Sequence, residues 1–90
     1  MFTRMYRANA ENATRLRNAL VEMGIKKARV RVMRYGAARL VLNSVSDRDA
    51  ARDALVLAGA LNCTGKPFTD PSTKHSWNGP VEIFVHFDAP

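Results

Sequence analysis

The side chains best suited to chemistry are concentrated between Cys63 and Pro80, in "CTGKPFTDPSTKHSWNGP", which holds Cys63, Lys66, Asp70, Lys74, His75 and Trp77. A thiol and an imidazole in one segment raise nucleophilic catalysis first. A Cys63–His75 pair needs a third group to orient the imidazole and backbone donors to hold an oxyanion, and the sequence signals neither. Metal binding calls for ligands repeated a few residues apart, whereas Cys63, Asp70, His75 and His86 follow no such spacing. "TGKP" contains Gly-Lys but lacks the preceding glycines of a phosphate-binding loop. The reading is therefore a non-enzyme without metal or cofactor. Cys63 becomes a small core residue at a helix end. Phe68 and Trp77 pin a long loop to the domain, and Lys74, His75 and Trp77 form a secondary contact surface.

The elements that must position these residues follow from periodicity. Phe2 to Ala8 alternates as a strand. Asn9 can cap a helix over Ala10–Met23, where Ala13, Leu16, Leu20 and Met23 recur at helical spacing and Gly24 supplies a left-handed stop. Ala28, Val30 and Val32 alternate with Arg29, Arg31 and Met33, the chain turns around Tyr35-Gly36-Ala37, and Arg39 to Val45 returns as the second half of a hairpin. Ser46 followed three residues later by Asp49 reads as a capping box for a helix over Asp47–Leu61, with Ala51, Ala54, Leu55, Ala58 and Leu61 as its apolar stripe. An 18-residue connection, Cys63 to Pro80, then leads to a strand in which Val81, Ile83, Val85 and Phe87 alternate with Glu82, Phe84, His86 and Asp88. This βαββαβ order predicts an α+β, ferredoxin-like sandwich spanning residues 1–90 as one domain, with both helices on one face of a four-stranded antiparallel sheet.

The same alternation sorts charge. With Val30, Val32, Leu40, Leu42, Val81, Ile83 and Val85 turned toward the helices, Arg29, Arg31, Arg39, Phe84 and His86 go to the open face. In the first strand, burying Arg4 without a partner is costly, so Thr3 and Met5 are assigned inward and Phe2, Arg4 and Tyr6 outward. The expected contact surface is Arg4, Tyr6, Arg29, Arg31, Arg39 and Phe84, with Arg34 at the hairpin end. Cations there hold phosphates and rings stack on bases. Two other readings compete: arginines that blunt a sheet edge against aggregation, and a face whose Met33, Val41 and Phe84 pair with a second subunit or a protein target.

Net charge agrees with this concentration. The chain carries +6, and residues 1–45 hold ten Lys/Arg against Glu11 and Glu22, while residues 46–90 hold four against six acids. An acidic or phosphate-rich partner fits the basic half. One cysteine allows no intrachain disulfide, the first residues lack an apolar signal core, and no apolar run approaches the roughly 20 residues of a membrane span, so a cytoplasmic protein with no membrane partner is expected.

Strand order invites comparison with the RNA-recognition motif, but "RYGAARLVL" has Ala and Arg where that family's third strand carries stacking rings. Acylphosphatases share the fold and size; their glycine-rich cradle followed by an arginine is absent from "FTRMYRANAEN". In size, basic hairpin and motif-free compactness the chain resembles small phage-encoded proteins that block bacterial defence, including anti-CRISPR proteins. That resemblance implies an inhibitor that binds an effector complex of a bacterial host cell by occlusion, as a monomer or homodimer. A nucleic-acid-binding module is the alternative, and a small enzyme the third.

Overall fold

The computed structural model describes residues 5–6, 10–34, 36–71 and 81–88, with the side chains of 5, 6 and 88 outside that description. Its elements are β1 (Met5–Tyr6), α1 (Ala10–Glu22), β2 (Arg29–Val32), β3 (Ala38–Val41), α2 (Arg48–Leu57), β4 (Ala60–Leu61) and β5 (Glu82–Asp88). β1, β5, β3 and β2 lie side by side in that order, every neighbouring pair antiparallel. The α+β class, the four-stranded antiparallel sheet and the two helices are those expected, in an arrangement compatible with a ferredoxin-like sandwich. The last strand takes a central place between β1 and β3, and the short β4 adds a further pairing to it, with Phe87 opposite Ala60 as well as Tyr6.

α1 forms where the 3.6-residue stripe predicts it and buries Ala13, Leu16, Ala19 and Leu20. Its end is a Schellman motif: the Gly24 N–H donates to the Val21 carbonyl at 3.0 Å and the Ile25 N–H to Leu20 at 2.9 Å. Gly24 has φ +84°, a conformation glycine adopts without steric penalty, and buried Ile25 lies over the turn it closes. Met23 is past the helix end and more than a third exposed, so it leaves the expected stripe. Asn9, the expected cap, lies outside the described residues.

α2 departs further from expectation. It is preceded by a 3-10 turn, Val45–Asp47, and the capping side chain is Ser44, whose Oγ accepts from the Ser46 N–H at 3.2 Å. The helix ends at Leu57, four residues before the expected Leu61, because Gly59 turns left-handed at φ +71° and its N–H closes onto Val56. Ala60 and Leu61 are thereby released to pair with Phe87 and His86 of β5. Asn62 takes the buried position at the end of β4, and its Oδ1 gathers the Thr64 N–H at 2.9 Å, the Thr64 hydroxyl at 2.7 Å and the Lys66 N–H at 3.0 Å. Cys63 is consequently exposed, which corrects its assignment to the core. Phe68 is buried as expected and anchors the described part of the loop, while Trp77 lies outside the described residues.

The core lies on one side of the sheet. Val30, Leu40, Leu42, Ile83, Val85 and Phe87 meet Leu16, Leu20 and Leu55 from the helices, and Ala51, Ala54 and Ala58 let α2 come close. Both helices therefore cover the same sheet face. Leu16 and Leu55 have no exposed surface, whereas Val21 on the outer side of α1 is 66% exposed. Urea unfolding should accordingly show Leu55→Ala destabilised by about 2–5 kcal/mol and Val21→Ala within about 0.5 kcal/mol of the unmodified chain. Equal losses would contradict this placement of the core.

Candidate functional site

Pairing register builds the open face row by row. The β2–β3 hairpin closes through the Met33 N–H donating to the Ala37 carbonyl at 2.7 Å and the Gly36 N–H to Met33 at 3.0 Å, with Gly36 left-handed at φ +94°. From that closing pair, Arg31 stands opposite Arg39, and Arg39 opposite Phe84 of β5. Two residues further along each strand, Arg29 stands opposite Val41 and Val41 opposite Glu82 on the same face. Two rows thus run across three strands: cation, cation, ring; and cation, valine, acid.

Arg29 and Arg31 are exposed, and among the described residues neither side chain makes an ion pair or hydrogen bond. Arg39 differs. Its guanidinium donates to Glu82 Oε2 at 2.9 Å, forming an ion pair in which both side chains retain more than a third of their exposure. Sequence reasoning placed Glu82 on this side of the strand but missed the pairing, since which strand lies beside β5 is a property of topology. The hydrogen bond from Arg39 holds the Glu82 carboxyl below its usual 4.5, against a smaller opposing effect of burial, and the guanidinium charge adds to the lowering.

Two shallow depressions flank this ion pair. One, of about 250 Å³, is lined by Arg29, Arg31, Arg39 and Val41. The other, of about 210 Å³, is lined by Asn62, Cys63, Glu82, Ile83 and Phe84. Arg39 borders the first and Glu82 the second.

The edge-protection reading is met by a different arginine. Alternation from the Met33–Ala37 pair turns the Val30 carbonyl toward the outer edge of β2, where Arg17 of α1 donates to it at 2.7 Å. That bond comes from the helix side, leaving Arg29 and Arg31 on the open face without this task.

Other expected site residues are dispersed or outside the description. Arg34 is exposed in the hairpin loop, away from both depressions, while Phe84 is 37% exposed at the centre of the face. Arg4, Lys74, His75 and Trp77 lie outside the described residues. Tyr6 pairs with Phe87 by backbone register, and its side chain lies outside the described residues. Val32 shares the inward row yet is 38% exposed, because β2 is the sheet's outer strand.

Among the described residues no cluster of His, Cys, Asp and Glu could hold a metal ion, and no helix is long and apolar enough to cross a membrane. No protein family, curated protein or solved structure matches this chain. The functional reading therefore rests on the geometry of the open face.

The ion pair makes a signed prediction. A carboxyl whose folded pKa lies below its unfolded value contributes stability above the ordinary 4.5 and loses it as pH falls through the lowered folded value. The Tm difference between the unmodified chain and Glu82→Gln should favour the unmodified chain at neutral pH, and close on acidification below 4.5. A pH-independent difference would show that the pair does not supply it.

Proposed function

We propose that this protein is a non-enzymatic binding protein that acts by occlusion, covering an anionic surface with the open face of its sheet. The observation that carries the reading is the juxtaposition of Arg29, Arg31 and Arg39 around one depression, on the side of the sheet opposite the helices. Arg31 and Arg39 are direct cross-strand partners, an arrangement in which like charges oppose folding. An anion held between them offsets that repulsion. An occluding protein needs only a complementary face and no reacting group.

The partner in this reading is a protein complex of a bacterial defence system, and the protein is an anti-CRISPR-like inhibitor. An effector that carries guide and target strands presents acidic protein surface and phosphates together, which suits a basic inhibitor. The exposed ring of Phe84 beside Arg39 favours a second reading, a nucleic-acid-binding module that needs no effector protein.

The test is association of the purified protein with a CRISPR effector loaded with guide RNA, followed over a range of salt concentrations. Arg29→Glu combined with Arg31→Glu should leave folding intact, slow association by about tenfold or more, and flatten the salt dependence. Unchanged rates and an unchanged salt slope in the folded double variant would remove the open face as the contact surface. The loop containing Lys74, His75 and Trp77 would then become the surface to test.

A further inference from the structure

The cationic depression, and the cross-strand row Arg31, Arg39 and Phe84, set a more specific requirement than general attraction to anions. That depression is cationic on three sides. Alternate residues on a strand stand about 6.8 Å apart along the backbone, so Arg29 and Arg31 root two cationic side chains at a spacing close to that of successive phosphates in an extended nucleic-acid strand. Arg39 faces Arg31 across the hairpin and already holds an oxyanion, the Glu82 carboxylate, at 2.9 Å. Its guanidinium is thus positioned for oxygen acceptors at the border of this depression.

The row also offers what a carboxylate-bearing partner would not use. Phe84, 37% exposed, follows Arg39 in the cross-strand row. Strands are about 4.8 Å apart, so Phe84 lies about 10 Å from Arg31 and one strand from Arg39. A group with an anionic part and a flat aromatic part, joined over a few bonds, spans this distance. A nucleotide in a single strand has that form. A base inside a duplex cannot leave its stack to reach the ring without the cost of unpairing.

We propose that the row Arg31–Arg39–Phe84 is a nucleotide site for single-stranded nucleic acid, with a phosphodiester between Arg31 and Arg39, the next phosphate on Arg29, and a base stacked on Phe84. This inference rests on the reading that the open face is the contact surface, and it names the ligand of that face. Glu82 acts in it as an internal competitor: its carboxylate occupies Arg39 and repels a phosphate. Removing that charge should therefore improve the site, an outcome that damage to the fold does not mimic.

The experiment is fluorescence anisotropy with a labelled oligothymidylate of about ten nucleotides, a length within the usual range of single-strand sites. Thymine carries no exocyclic amine for Glu82 to bind, and its N3–H can donate to a glutamine amide oxygen as well as to the carboxylate, so Glu82→Gln chiefly isolates the loss of charge. The unmodified chain should bind the single strand more tightly than a duplex of the same length, with log affinity falling linearly with log salt. Arg31→Glu should weaken binding by about tenfold or more, and Phe84→Ala by about 5- to 100-fold. Glu82→Gln should tighten it severalfold.

Equal affinity for the duplex, displacement by polyglutamate at matched charge, or indifference to Phe84→Ala would each overturn the nucleotide site. Failure to bind oligothymidylate, together with arginine-dependent capture of the loaded effector, would overturn this inference and leave the occlusion reading standing. Loss of both would remove the open face from the account altogether.

Discussion

The phase of one strand decides where almost everything else in this protein goes. β5 pairs with β1, β3 and β4, and its side chains alternate strictly between two environments: Ile83, Val85 and Phe87 in the core, Glu82 and Phe84 on the opposite face. A slip of one residue would exchange the two sets, burying a carboxylate and exposing a phenylalanine and a valine that are now within the core. The cost of that exchange fixes the register. Because β3 is bonded to β5, and β2 to β3, the same phase sends Leu40 and Val30 inward and Arg39 and Arg31 outward. The arginine face follows from the way the core is filled.

That dependence explains how much was legible in the sequence. Period-two alternation around Val30, Leu40 and Val85 assigns each strand's two faces without knowledge of its neighbours, and the helical stripe of Ala13, Leu16 and Leu20 does the same for α1. Contacts set by topology were hidden. Nothing near Arg39 in the chain signals Glu82, which is 43 residues away and becomes its neighbour only through the β3–β5 pairing. The short β4 was concealed because Ala58 and Leu61 extend the apolar period of α2, and the one break in the run, Gly59, is where the helix stops. In the first strand, Arg4 was weighed by the cost of burial. Arg4 and the side chain of Tyr6 lie outside the described residues, and the backbone register pairs Tyr6 with Phe87.

The electrostatics of the face work against stability. Arg31 opposite Arg39 opposes folding, and the Arg39–Glu82 pair answers only one of the two charges. An exposed pair of this kind contributes little. The remaining repulsion is tolerated because the hydrophobic core lies on the other side of the sheet and does not depend on the arginines. The Arg39–Glu82 pair and Phe84 vary the character of a face that would otherwise be uniformly basic.

The most direct test is an NMR titration of the protein with oligothymidylate, following backbone amides on all the described elements. The account predicts that shifts concentrate at Arg29, Arg31, Arg39, Val41, Glu82 and Phe84, and that amides on the outer side of α1 around Arg15 and Val21 stay in place. Shifts centred on α1, with the open-face amides unmoved, would contradict it.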